Sequence, residues 1–262
     1  MLSSAQIDEL NRRGFTYVHS LISPAQAAAI EDRIWSFLAR RGVDRTDRAT
    51  WPSEGLMSGV QGLRQARVFA PFTNAELIAI VDQLLGSGTW TKPQQEGQAL
   101  ISFPQGEPWE IPHKVWHFDL PAKGPTDRLH AVRLFGYAAT VEPRGGATLL
   151  VEGSHELVRK MVERSSRGNA GQSADVRKRL AAHSPWFKSL TSAGEDRITR
   201  LMLDGDEVDG VHVRVVEATG AAGDVCVMHP WMMHNIAKNC AGRPRMMMTQ
   251  TFLRDDNIYY SK

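Results

Sequence analysis

Residues 131–151 read Ala-Val-Arg-Leu-Phe-Gly-Tyr-Ala-Ala-Thr-Val-Glu-Pro-Arg-Gly-Gly-Ala-Thr-Leu-Leu-Val. Two runs rich in β-branched and aromatic residues, Ala131–Val141 and Ala147–Val151, flank a Pro- and Gly-containing break. That is the signature of strand, turn, strand. The same pattern extends in both directions. Ala99–Phe103 and Val115–Leu120 precede it; Val211–Val216, Asp224–Met228 and Met246–Leu253 follow. Several short strands separated by Gly and Pro predict a mainly β protein with flanking helices, its core a sandwich or barrel.

Upstream of this region the pattern is helical. Ser4 starts a short helix running to Arg13, and Gly14–Val18 has strand composition. Ser23-Pro24 combines a hydroxyl N-cap with proline at the first helical position. Ile30, Ile34, Phe37 and Leu38 follow at helical spacing, and Gly42 ends the element. Asn74 opens another helix, Ala75–Leu85, closed by Gly86. Residues 1–97 are therefore expected to form a helical support for one domain spanning 1–262. Residues 98–155 and 201–262 would supply the β core.

Between those halves, 156–200 reads as a basic, helical insertion. It carries Arg159, Lys160, Arg164, Arg177, Lys178, Arg179 and Arg197 among others, and the loop-like stretch Ser165–Ser173. As a lid it would close a site; as a solvated helical face it would do no more than keep charge in water.

Composition narrows the class. The 262 residues hold 31 Lys+Arg and 29 Asp+Glu, a net charge of +2 too small for a dedicated nucleic-acid binder. No apolar run approaches the ~20 residues needed to span a bilayer. Met1-Leu-Ser-Ser-Ala-Gln has neither the basic nor the apolar part of a secretory signal. Two cysteines, Cys226 and Cys240, make neither a disulfide framework nor a thiolate zinc site, and free thiols suit a reducing cytoplasm.

Chemistry is concentrated in two places. In Trp116-His117-Phe118-Asp119-Leu120, a strand would turn His117 and Asp119 to the same face. A second cluster runs Met228-His229-Pro230-Trp231-Met232-Met233-His234, followed by Asn239 and by Arg243-Pro244-Arg245. A hairpin turning at 239–242 would place His234 across from Arg245. One more imidazole would complete two His and one carboxylate on one face of a metal, the arrangement of non-haem Fe(II) oxygenases. An arginine just beyond suits a dicarboxylate, whose carboxylate it can grip bidentately.

His117-x-Asp119, the stretch Gly145-Gly-Ala-Thr-Leu-Leu-Val-Glu-Gly-Ser-His155, and His234 with Asn239 five later and Arg245 eleven later together resemble the phytanoyl-CoA dioxygenase family. Ile7–Val18 is similar to that family's opening helix and strand. The resemblance covers nearly the whole chain apart from 156–200. It implies a double-stranded β-helix (jelly-roll) core and an enzyme dependent on Fe(II), 2-oxoglutarate and O2. His117, Asp119 and His234 would be the iron ligands and catalytic centre. Arg245 would hold the distal carboxylate of 2-oxoglutarate, with Thr148 and Phe135 lining that pocket. Glu152 stands where the family commonly has proline. Asp119 itself separates an oxygenase from related halogenases, which have Gly or Ala there. His229 competes with His234 for the ligand role, but the position eleven after it is Cys240, which cannot pair with a carboxylate. His229 and His155 are therefore read as structural.

The expected reaction is oxidation of a C–H bond in a small organic substrate, in natural-product tailoring or catabolism. Hydroxylation is the default; desaturation, cyclisation and epimerisation start from the same step. The basic insertion suggests an anionic or carrier-bound substrate. Two alternatives stand beside this reading: an acyl-CoA or acyl-carrier hydroxylase, and a non-catalytic jelly-roll binding protein. Trp109, His113, Trp116, Trp186 and Trp231 are candidates for the substrate pocket, with core packing the commoner role for such aromatics.

Overall fold

A computed structural model describes residues 1–53 and 55–256. The chain begins with α1 (Ser4–Arg13), β1 (Phe15–Val18), α2 (Pro24–Ala39), a short α3 (Gln61–Gln65) and α4 (Ala75–Leu85). Then come β2 (Gln98–Ser102), β3 (Ala122–Lys123), β4 (Ala131–Tyr137), β5 (Thr148–Glu152) and α5 (Ser154–Glu163). β6 (Asn169–Gly171), α6 (Ser173–His183) and α7 (Pro185–Leu190) lead to β7 (Asp206–Val208) and β8 (Val211–Ala218). The chain closes with β9 (Val225–Met228), β10 (His234–Ile236) and β11 (Arg245–Leu253).

Local chemistry accounts for the helix ends. Ser3, one residue before the expected start, caps α1, and its hydroxyl accepts from the Gln6 amide. Ser23 does the same for α2 and Asn74 for α4. Gly42 closes α2 at a positive φ of 79°, where its amide and that of Val43 return to the carbonyls of Ala39 and Leu38.

Two antiparallel sheets face each other. The larger has the order β1-β9-β4-β11-β2, the smaller β10-β5-β8-β7. Directly paired residues share a face. In the larger sheet Arg245 pairs with Ser102, Met247 with Leu100 and Tyr137, Thr249 with Phe135, and Thr251 with Arg133. In the smaller, His234 pairs with Leu150, and Thr148 with Ile236 and Ala218. Leu100, Phe135, Tyr137, Met247, Leu150 and Ala218 join one buried cluster, so these two faces meet. The alternate residues go elsewhere. Val132, Leu134, Met246 and Met248 pack outward under the N-terminal helices. Leu149, Val151, Val213 and Val215 pack outward against α5, α6 and α7. Three apolar layers therefore separate helices, sheet, sheet and helices.

The expected strand at Val115–Leu120 does not form. Only a single bridge, His117 to His234, connects this segment to the edge of the smaller sheet. The expected hairpin between His234 and Arg245 is also absent: β10 belongs to the smaller sheet and β11 to the larger. The connection crosses between sheets, so His234 and Arg245 approach from opposite walls. Asn239 builds the crossing. Its side-chain amide donates to the carbonyls of Ser102 (3.2 Å) and Arg243 (3.0 Å), and its oxygen accepts from the Ala241 amide (3.0 Å).

Segment 154–204 packs against the core. The stretch expected to be a loose loop contains β6, which pairs with β3. Five of its arginines are engaged by the protein itself. Arg177 donates to the Trp116 carbonyl, Arg179 to the Ala170 carbonyl, and Arg197 to the carbonyls of Ile111 (3.3 Å) and Pro112 (3.2 Å). Arg159 pairs with Glu156 and Glu163, and Arg164 with Asp209. At the other end of the sheets Glu152 accepts from Arg13 (2.9 Å) and Arg214 (3.0 Å). Burial works to raise its pKa, but the two guanidiniums more than offset this and hold it low.

Gly153 stands at φ 77° between β5 and α5, where a Cβ would collide with the His212 carbonyl. No helix among the described residues is long and apolar enough to cross a membrane.

Candidate active site

His117, Asp119 and His234 offer one donor atom each, all within 4.8 Å of one another. The His117 Nε2 lies 3.9 Å from Asp119 Oδ1, and the His234 Nε2 lies 3.5 Å from Asp119 Oδ2. The two imidazole rings are 4.4 Å apart.

Backbone geometry sets this convergence. His117 and His234 bond each other's main chains, and each ring is then fixed by a carbonyl two residues back. His117 Nδ1 donates to Val115 O at 2.8 Å, and His234 Nδ1 donates to Met232 O at 2.9 Å. With Nδ1 carrying the proton, Nε2 keeps its lone pair for a metal. Val115 supplies its carbonyl from a left-handed backbone, φ 64°, a strained setting for a β-branched residue. The next turn is braced from α6, where the Ser173 hydroxyl accepts the Phe118 amide at 3.0 Å and Arg177 binds the Trp116 carbonyl.

Burial holds His234 well below its ordinary pKa; Asp119 opposes that shift and His117 adds to it. A neutral, buried imidazole is the form a metal requires. His117 and Asp119 sit on the open side, with side chains 40% and 25% exposed, against 5% for His234. The pocket therefore has a dry wall and a wet mouth.

Arg245 lies deeper, 1% exposed. Its Nη1 donates to Gly146 O at 2.6 Å, while Nε and Nη2 have no partner. Gly146 (φ 76°) leaves space there, since a Cβ would come within 2.9 Å of the Asn239 Cβ. Desolvation without a counter-charge pulls the Arg245 guanidinium down to about 10. The hydroxyls of Ser102, Thr148 and Thr249 share the interior faces and are likewise buried and unpaired. Buried polar atoms are normally satisfied. Here a set of donors on facing walls lacks an acceptor, which fits an oxygen-rich dianion such as 2-oxoglutarate. Two nitrogens and one carboxylate oxygen fit a divalent first-row metal.

The structure brings His117, Asp119 and His234 together, and it sets Arg245, Thr148 and Phe135 on the inner faces of the two sheets. Phe135 lines the same chamber, its ring 6.3 Å from that of His234. His229 is elsewhere, its ring 5.0 Å from His155, and its Nδ1 accepts from the Trp231 amide. Trp109, Trp116, Trp186 and Trp231 are packed into the layer between the smaller sheet and α5–α7.

One residue escaped sequence reasoning. Arg133 points into the chamber from β4, and its Nη1 lies 3.1 Å from Asp119 Oδ2 and 3.1 Å from Thr251 Oγ1. Desolvation lowers its pKa, with Asp119 opposing. The available signal was alternation: in Ala131–Tyr137, Arg133 occupies the same face as Phe135 and Tyr137.

Comparison with known proteins identifies the family. The model of the phytanoyl-CoA dioxygenase family matches residues 10–247. No curated protein matches the chain in sequence. Among solved structures, AviO1 from Streptomyces viridochromogenes Tue57 is similar, with TM-score 0.58 and 16% identity, covering 96% of this chain and 95% of that one. The epimerase SnoN, in complex with Fe3+, α-ketoglutarate and nogalamycin RO, gives TM-score 0.57 and 15% identity over 95% of this chain and 82% of its own. EctD from S. alaskensis with bound Fe gives TM-score 0.53 and 18% identity over 98% and 78%. The chain belongs to the phytanoyl-CoA dioxygenase family and is an Fe(II)/2-oxoglutarate-dependent oxygenase with a jelly-roll core.

Proposed function

We propose that the protein hydroxylates a C–H bond of a small organic molecule, with His117, Asp119 and His234 as the iron ligands and Arg245 as the anchor of 2-oxoglutarate. The observation that carries this is the pairing of two unsatisfied sites in one chamber: three converging donors and, deeper in, a buried guanidinium without an acceptor. The bound iron supplies oxidation of the substrate by O2, with 2-oxoglutarate providing two electrons and leaving as succinate and CO2.

The chain's own residues have separable tasks. His117 and His234 present unprotonated Nε2 atoms because their Nδ1 protons are held by carbonyls. Asp119 supplies the anionic ligand. Arg245 would hold a carboxylate of 2-oxoglutarate with its unpaired Nε and Nη2, and Thr148 and Thr249 offer unpaired hydroxyls on the same interior faces. Phe135 and Met247 keep that inner wall dry. The mouth at His117 and Asp119 admits the substrate.

Natural-product tailoring is the favoured setting, since SnoN is described as an epimerase from nogalamycin biosynthesis, and HygX was crystallised with hygromycin B. Desaturation, cyclisation and epimerisation start from the same C–H cleavage and are further outcomes of such a site. The free thiols Cys226 and Cys240 suit a reducing cytoplasm.

Anaerobic addition of Fe(II) and 2-oxoglutarate should produce a weak visible charge-transfer band. Admitting O2 should then yield succinate, at a rate raised by the right compound in a screen that includes acyl-CoA thioesters. No band, together with His117→Ala behaving like wild type, would overturn the proposal in favour of a binding protein.

A further inference from the structure

Arg133 carries a charge that the completed chamber would not balance. At its metal end, the divalent iron and the dianionic 2-oxoglutarate cancel. Asp119 and Arg245 cancel as well, and a histidine that ligates a metal does so as the neutral imidazole. Arg133 is left over. Its side chain is only 18% exposed, so water screens it poorly. Glu152, an inward carboxylate of the smaller sheet, is already matched by Arg13 and Arg214.

The guanidinium also has unused donors. Nη1 serves Asp119 Oδ2 and Thr251 Oγ1, while Nε is buried without a partner. The Phe135 ring, 5.6 Å from the guanidinium carbon, holds its orientation from one side. Metal ligation draws on the charge of Asp119, the only anion Arg133 touches among the described residues.

We propose that Arg133 is the specificity-determining residue of the substrate pocket and receives a carboxylate of the prime substrate beside the iron. The inference rests on the iron and 2-oxoglutarate reading given above. A single negative charge matches the single excess cation, and a planar carboxylate matches the planar donor fork. The substrate class is therefore a small organic acid whose reactive C–H bond lies within a few bonds of its carboxylate. A purely positioning role for Arg133, confined to orienting Asp119, would give no such preference.

The test uses the anaerobic Fe(II)–2-oxoglutarate complex, so that Arg245 is already occupied. Acetate, propionate and benzoate are titrated against the matching amides, and the shift of the charge-transfer band is read. Wild type should respond to the acids with at least tenfold tighter binding than to the amides. Arg133→Gln should abolish that preference, and Arg133→Lys should keep it with roughly tenfold weaker affinity. Equal responses to acids and amides would overturn the proposal, as would a carboxylate preference that survives in Arg133→Gln. A response to inorganic phosphate in place of the acids would overturn the carboxylate assignment. If Arg133→Gln fails to form the band, the wild-type comparison and Arg133→Lys decide. A wild-type protein with no band at all would instead remove the iron reading itself.

Discussion

His117 and His234 exchange both of their backbone hydrogen bonds, at 3.1 Å and 2.7 Å. The two imidazoles are thus carried by one rigid bridge rather than by two independent loops. A tight backbone pair between a loop and a sheet edge fixes the ring separation before any metal arrives, so little ordering entropy remains to be lost on binding.

Because the bridge uses no side-chain atoms, the ligands can be removed without removing the scaffold. His117→Ala should weaken Fe(II) or Ni(II) binding by more than the ~100-fold typical of losing an outer partner. Its melting temperature should stay within about 4 °C of wild type. Calorimetric metal titration and a thermal melt check both halves, and unchanged metal affinity would contradict the ligand assignment.

Arg245 should behave differently from an ordinary buried cation. Truncation at Arg245→Met removes a charge-assisted grip, weakening 2-oxoglutarate by ~2 kcal/mol or more, roughly 30-fold. Metal affinity without 2-oxoglutarate should be unaffected. The ligand-free variant should melt no lower than wild type, since replacing an unpaired buried charge by an apolar side chain of similar length is not costly. A marked loss of ligand-free stability would mean that the guanidinium already has its partner.

Arg177 offers a test of segment 154–204 as a brace. Arg177→Ala leaves the Trp116 carbonyl without its donor, one residue before His117. We expect metal binding to weaken by roughly 10-fold, within the range for outer partners. Reversal of Lys178, for which no ion pair is found among the described residues, should change neither metal binding nor substrate response. A strong effect at Lys178 would restore the idea of a basic face that recruits anions.

The buried pair His155 and His229 predicts acid sensitivity. His155 Nε2 donates to Asn11 O at 2.9 Å, leaving Nδ1 unprotonated, buried and unpaired. Burial pushes both residues below the ordinary 6.5. In the unfolded chain they take up protons first, so the stability is complete above pH ~6.5 and is lost as pH falls below it towards the folded values. Each contributes a slope of up to ~1.4 kcal/mol per pH unit. Urea unfolding at pH 8, 6.5 and 5.5 should show the fall, and His155→Gln should make the slope shallower. An equal slope in the variant would place the acid sensitivity elsewhere.

Legibility in the sequence followed the range of the interactions. Ser23 and Asn74 announced helix starts because a cap acts over three residues. The β-rich composition of Ala131–Val141 and Met246–Leu253 announced strands because composition is local to each run. Apart from the one-residue shift of the α1 cap, the misreadings were non-local. His117 and Asp119 were expected to share a strand face; they converge instead through a bridge to His234 and a brace from α6, both distant in sequence, and through a left-handed Val115 that neighbouring residues do not announce. The turn at Asn239 was visible, yet whether it joins neighbours or crosses between sheets depends on the partner of β10. Arg133 was passed over because an isolated arginine on a strand gains meaning only when the opposite wall brings Asp119 to it.

The pairing of β11 with β2 and β4 has a further meaning for how such an enzyme can change over generations. Its side chains alternate between two different interiors: Arg245, Met247 and Thr249 face the opposite sheet, Met246 and Met248 the helices. Insertion or deletion of one codon within 245–253 would exchange these assignments along the strand beyond it. New substrate preferences must therefore be acquired where backbone length is free, in the irregular stretch 104–116 and the connections of 154–204, or by single substitutions at inward positions such as Arg133. The strand conserves the chemistry by arithmetic, while the loops remain open to inheritance.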